Sequence, residues 1–285
     1  IFLASISHEL RSPLNSIVGW TDLALMDVTN VDRMSDALGV IKRAASTQAA
    51  LINDILDLSR IISGTMKLST HSLNIAGSIS EVAKSFEAGF ASKNIQLSIN
   101  CEDEHTQILG DNLRIKQVIN NLLSNALKFT AKGGTVHVRG RREHSNYLFR
   151  VKDNGKGMTQ DQIARVFERF YQGKDSHNKL GLGLGLSIVK SLVEMHGGEI
   201  RAESDGPNSG TTFFVSLPIA PLSLHDDIIE TKSSEISDLT ESLRLSGLRI
   251  LVAEDEQDAR DFIKLFLESN GARVNVVKNG LLAWK

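Results

Sequence analysis

The chain has 285 residues, is 41% apolar and carries a formal charge of −2, which is enough length for two or more domains and gives no reason to expect a nucleic-acid partner. Its one cysteine, Cys101, excludes an internal disulfide, and no apolar run is long enough for a bilayer span or a signal peptide. A cytoplasmic segment without membrane contact of its own is expected, cut from a longer protein that is free to be anchored upstream, because Ile1 is already in helical phase.

Residues 1–26 read as one helix, with Leu3, Ile6, Leu10, Leu14, Ile17 and Leu25 forming an apolar stripe at helical spacing. His8 lies off that stripe. Pro13 offers no N–H to the carbonyl of residue 9, so a bend or loosening is expected just below His8. A neutral imidazole is nucleophilic through its unprotonated nitrogen, and a carboxylate on the other nitrogen fixes the tautomer; Glu9 is the candidate, although neighbours in a helix do not face each other squarely. Ser12, one turn on, shares the face of His8.

A turn at residues 27–32 leads to a second helix over 33–63, with Leu38, Ile41, Ala45, Ile52, Ile55 and Ile62 in heptad rhythm, Leu51 and Leu58 widening the stripe, and Gly64 as the stop. A hairpin with apolar faces that wide predicts a homodimer closed as a four-helix bundle.

From residue 66 to 218 the periodicities alternate, predicting an α/β domain. Helices are expected at 75–91, 111–129 and 185–196, and strands at 95–100, 106–109, 135–143, 146–153, 198–204 and 211–217. Adjacent hairpin strands imply a mixed, largely antiparallel sheet under a helical layer. Residues 219–246 are serine-rich and acidic and read as a linker. From 247 to 285 the pattern is strand, helix, strand and the start of a helix, the opening of a parallel α/β domain that stays incomplete.

Four stretches of the middle domain suit one task. Asn121, Asn125 and Lys128 share a helix face, where an amide can ligate Mg²⁺ and an ammonium can neutralise phosphate. Asp153, Gly155 and Gly157 end a strand, with a carboxylate able to accept from an exocyclic amine such as that of adenine. The run from Val166 to Tyr171 offers aromatic anchors for a loop. Gly181, Gly183 and Gly185 open into a helix, whose N-terminal N–H groups favour phosphate.

These residues resemble the motifs of sensor histidine kinases of two-component signalling, in the hybrid arrangement. Ser7, His8, Glu9, Leu10, Arg11, Ser12, Pro13 and Leu14 resemble the H box; Asn121 to Phe129 the N box; Asp153 to Gly157 the G1 box; Phe167 to Phe170 the F box; and Gly181 to Gly185 the G2 box of a Bergerat-fold ATP-binding domain. The resemblance implies a phosphotransfer hairpin at 1–65, an ATP-binding domain at 66–218, a linker at 219–246 and a partial receiver domain at 247–285. It implies that His8 takes the γ-phosphoryl group of ATP, with Glu9 as base or orienter and Ser12 at the position tied to dephosphorylation of the partner. Asn125 would bind Mg²⁺ with Asn121 nearby, Lys128 would contact phosphates, Asp153 would read adenine and Phe129 would lie along the base. Arg169 would reach toward the γ-phosphate. Gly155, Gly157, Gly181, Gly183 and Gly185 would shape the pocket and lid, anchored by Phe167 and Phe170. Glu254 and Asp255 would help bind Mg²⁺ in the receiver, whose phospho-accepting aspartate would lie beyond Lys285. The implied partner is a receiver domain, of a response regulator or of the same full-length chain. Leu182 departs from the small polar residue many relatives carry in the lid, leaving phosphate to backbone groups.

Overall fold

The computed structural model describes residues 2–103, 105–172, 182–220, 245 and 247–280, with side chains from residue 6 onward. It divides into two compact units, Ile1–Leu222 and Ser223–Lys285.

The first unit begins with a helical hairpin, α1 (Phe2–Met26) and α2 (Val31–Ile62). The backbone of α1 stays helical through Pro13. Asn30 caps α2 by accepting from the Arg33 N–H at 3.0 Å. At the other end Thr65 N–H donates to Arg60 O and Gly64 N–H to Ile61 O, with Gly64 at φ 65°, so the carbonyls of the last turn are satisfied as the chain leaves.

The seam of α2 differs from the expected one. Ala37, Ala44, Leu51 and Leu58, seven apart, are its buried apolar residues. The expected row sits one position round the helix, with Leu38, Ile52 and Ile62 exposed and Ile41 and Ile55 half-buried. On α1, Leu14 and Leu25 are likewise exposed. The cause is that both helices are apolar on two sides, and the side with alanines lets backbones approach most closely, so it is the one used within the chain.

An α/β sandwich follows: β1 (His71–Asn74), α3 (Ile75–Ser85), α4 (Glu87–Ser92), β2 (Gln96–Cys101), β3 (Gln107–Gly110), α5 (Asn112–Phe129), β4 (Thr135–Glu143), β5 (Asn146–Asp153), α6 (Gln160–Arg165), α7 (Gly185–Met195), β6 (Glu199–Glu203) and β7 (Thr211–Pro218). The five-stranded sheet runs β2-β4-β5-β7-β6, antiparallel except for β2 with β4, and a short β1-β3 ribbon lies apart. Strands β5 and β7 alternate strictly, sending Tyr147, Phe149, Val151, Phe213, Val215 and Leu217 inward against Ile79 of α3, Leu122 of α5 and Ile188 of α7. Leu51 and Leu58 of the hairpin join this core, so hairpin and sandwich pack as one unit.

The second unit holds β8 (Arg249–Ala253), α8 (Gln257–Ser269) and β9 (Arg273–Val277), with β8 and β9 parallel. That is a β-α-β crossover, the start of a parallel α/β layer. Most of the expected linker lies outside the described residues.

Candidate active site

His8 stands on α1 with its side chain 83% exposed, and its Nδ1 is 3.8 Å from Oε1 of Glu9, whose side chain is only 19% exposed. Adjacent residues do meet here, at ion-pair rather than hydrogen-bond distance. Ser12 is exposed one turn along. Ile6 and Leu10, on the other side of the helix, pack against the core.

Helix α5 carries the second group of residues. Its apolar face, Ile115, Val118, Ile119, Leu122, Leu123 and Ala126, is buried, which turns Asn121 and Asn125 to the half-buried flank and Lys128 outward. The Lys128 ammonium lies 5.1 Å from the centroid of Phe129, and that of Lys156, to which the sequence pattern assigns no role, 4.6 Å from the same ring. Desolvation lowers the basicity of Lys128, the charge of Lys156 lowers it further, and Glu9 of the hairpin works in the opposite direction. Two cations on one ring concentrate positive charge at this end of α5.

Asp153 closes β5. It falls in the inward row that continues Tyr147, Phe149 and Val151, opposite Val136 and Thr211, and is therefore buried, at 5% exposure. Oδ1 accepts from the N–H groups of Gly155 at 2.8 Å and Thr211 at 3.3 Å, so among the described residues Oδ2 has no donor. Burial raises the carboxyl above its usual range, against those two hydrogen bonds. A buried carboxylate with one free oxygen suits a neutral N–H donor such as a purine amine. Gly155 is needed for closeness: a Cβ there would stand 2.4 Å from Phe129 O, which also accepts from Lys156 N–H. That contact seats the Asp153 turn on the end of α5. Gly157, at φ 63°, is buried beside Gly206 and Ser204.

Phe167 is half-buried with its ring edge-on to Phe213, 6.3 Å between centroids. Phe170 is 38% exposed and holds its place through backbone, at φ 64° with its N–H donating to Gly183 O. Gly183 has φ 68°, and a Cβ would come within 2.6 Å of Tyr171 O, so no other residue fits this pairing. Arg169 is exposed. Gly181 lies outside the described residues, as does the stretch 173–181. A Cβ on Gly185 would sit 3.0 Å from Asn121 Oδ1, which places the start of α7 on the amide row of α5. Leu184 provides no capping side chain there, so the first-turn N–H groups of α7 are open to an outside acceptor.

The structure thus brings Asn121, Asn125, Lys128, Phe129, Asp153, Gly155 and Gly185 together through α5, the β5 turn and the start of α7. Glu254 and Asp255 belong to the other unit, at the end of β8. The Glu254 side chain accepts from Glu256 N–H, and Arg260 donates to both backbone carbonyls. Among the described residues no three His, Cys, Asp or Glu side chains cluster as a metal site, and no helix is long and apolar enough to cross a membrane.

Comparison with known proteins gives two matches to family descriptions. Residues 1–64 match the His Kinase A (phospho-acceptor) domain, and residues 110–221 match the histidine kinase-, DNA gyrase B- and HSP90-like ATPase. The chain is 33% identical to the sensor protein GacS of Pseudomonas syringae pv. syringae over 98% of its own length and 30% of that protein. It is 35% identical to the signal transduction histidine-protein kinase BarA of Escherichia coli (strain K12) over 90% of its length and 28% of that protein. Among solved structures it resembles full-length ShkA in complex with AMPPNP, at TM-score 0.60 and 26% identity over 99% of this chain and 56% of that one. The chain spans about a third of the length of these curated relatives.

Proposed function

Because this chain belongs to the sensor histidine kinase family, we propose that it is the autophosphorylating core of a two-component kinase, which transfers the γ-phosphoryl group of ATP to His8 and then to an aspartate of a receiver domain. The observation that carries this reading is the exposed His8 imidazole facing the largely buried Glu9 carboxylate, on a hairpin packed into the same unit as the nucleotide-type site.

In the reaction Nε2, the ring nitrogen turned away from Glu9, attacks the γ-phosphorus. The N–P bond forms as the bond to the β,γ-bridging oxygen breaks, and ADP leaves with that electron pair. Glu9 stabilises the positive charge that grows on the ring and accepts the Nδ1 proton. Transfer of this kind depends on alignment and charge neutralisation. Asp153 Oδ2 accepts from the adenine amine, Phe129 lies along the base, Lys128 and Lys156 bind phosphate oxygens, and the first turn of α7 supplies N–H groups. The donor set fits a nucleotide whose metal is held mainly by phosphates and water: Asn125, with Asn121 beside it, offers an amide oxygen to Mg²⁺, which when bound neutralises the phosphates. Ser12, exposed one turn from His8, keeps a hydroxyl at the position that would orient water in dephosphorylation of the partner.

The exposed apolar rows of α1 and α2 support a homodimer through the hairpin. The parallel β-α-β unit supports the opening of a receiver domain, with Glu254 and Asp255 at its metal end.

Incubation with γ-labelled ATP and Mg²⁺ tests the reading. Label that is acid-labile, base-stable and absent from His8→Gln is expected. Label that survives in His8→Gln refutes His8 as nucleophile, and ATP binding without any label refutes the kinase assignment.

A further inference from the structure

The contact between hairpin and sandwich is more specific than apolar adhesion. Arg114 Nη1, near the start of α5, donates to Asp57 Oδ2 of α2 at 2.6 Å. Gln117 Nε2 donates to the same oxygen at 2.9 Å, while Arg114 Nη1 also reaches Gln117 Oε1 at 2.8 Å. The Asp57 and Arg114 side chains are 9% and 16% exposed, the one ion pair among the described residues with both partners largely buried. Buried ion pairs add little net stability over apolar packing, and in some systems they fix one arrangement, or register, of the elements they join.

Position makes the register matter. Asn125 and Lys128 lie 11 and 14 residues beyond Arg114 on the same helix, roughly 16 and 21 Å away at helical rise. The pair is therefore remote from the nucleotide groups but sets the axis of the helix that carries them. At the far end of α5, Lys128 feels the charge of Glu9. The geometric contact is at the start of the helix, where Arg114 and Gln117 hold Asp57.

We propose that Asp57, Arg114 and Gln117 are positioning residues, an interdomain latch that holds α5 on the hairpin of its own chain and directs the phosphoryl group to the His8 of the subunit that binds the nucleotide. This rests on the kinase reading above, so the test separates the two.

Dimers of two differently tagged chains, one carrying His8→Gln and the other Asn125→Ala, are isolated and supplied with labelled ATP and Mg²⁺. No label is expected, because neither chain has both parts. Label on the Asn125→Ala chain overturns the proposal. The reference is a dimer of wild type with a chain bearing both substitutions. It is expected to be labelled on the wild-type chain, and if it is not, the kinase reading has failed rather than the latch. In Arg114→Ala homodimers the autophosphorylation rate is expected to fall at least about tenfold, with affinity for a non-hydrolysable ATP analogue within about twofold. The charge-reversed pair Asp57→Arg with Arg114→Asp restores the rate. A wild-type rate in Arg114→Ala, or loss of analogue binding that the reversed pair does not repair, overturns the positioning role.

Discussion

The hairpin and the sandwich use their apolar residues in opposite ways. In the sandwich Ile115, Leu122, Ile188 and Val215 are completely buried within one chain. Along the hairpin Leu25, Leu38, Ile52 and Ile62 remain 68%, 55%, 43% and 60% exposed, in helices whose apolar residues spread over two sides where those of α3, α5 and α7 gather on one. Apolar helices thus have two outcomes: a sheet covered by three one-sided helices closes its own core, whereas a hairpin of two-sided helices has a second side left over. The sandwich is complete within the chain; the hairpin offers a surface for another copy.

Core truncation gives the largest effect that could break this contrast. Phe149, 1% exposed at the sheet centre, should cost about 3–5 kcal/mol as Phe149→Ala, read as a lower urea midpoint. If it costs no more than truncation of an exposed hairpin residue, the two regions are not different in kind. Next, Leu38→Lys with Ile52→Lys should weaken dimerisation by about 10²-fold or more, since each side chain removes about 1.5–3 kcal/mol of burial. Sedimentation should show monomers whose ATP-analogue affinity is unchanged. Unaltered dimers would place the interface elsewhere.

The histidines sharpen the same contrast. His196, at 8% exposure, donates from Nδ1 to Leu192 O at 2.7 Å and accepts at Nε2 from Asp111 N–H at 3.0 Å, tying α7 to the start of α5. His196→Ala should cost about 1–3 kcal/mol, while His8→Gln should stay within about 0.5 kcal/mol of wild type. Equal losses in thermal unfolding would deny that one histidine is structural and the other kept free for chemistry.

Legibility in the sequence followed length and period. Helices α1, α2, α5 and α7 and strands β4 to β7 are long enough for spacing to identify them, and their ends agree within a residue or two. The helix expected over 75–91 is interrupted at Phe86, a break that periodicity passes over. Strand β1, four residues long, owes its existence to pairing with β3, which no local pattern reveals. Helix α6 buries nothing, yet its capping box, Thr159 with Gln162, was a readable signal. In the site, glycine spacing marked the turns. What held Asp153, the Thr211 N–H from a strand 58 residues away, was invisible to spacing. Asp57 and Arg114 were also unreadable, since a charged residue in an amphipathic helix normally faces water.

The smallest expected effect concerns Asp54, half-buried on α2 one turn before Asp57. Burial, and then the charge of Asp57, lift its carboxyl from 3.8 to about 6. Between those values the folded chain keeps a proton that the unfolded chain has released, so the cost of Asp54 is absent below the lower value, grows through the window and is complete above about pH 6. Asp54→Asn should therefore be more stable than wild type at pH 7.5, on the order of 1 kcal/mol after allowance for solvent screening, with the gain shrinking toward pH 4. Urea midpoints across that range measure it. Asp153 makes the experiment discriminating, because burial raises its carboxyl too and it lies in the sandwich. If the pH dependence of wild type persists undiminished in Asp54→Asn but disappears in Asp153→Asn, the cost of buried charge belongs to the nucleotide site rather than to the hairpin beside the latch.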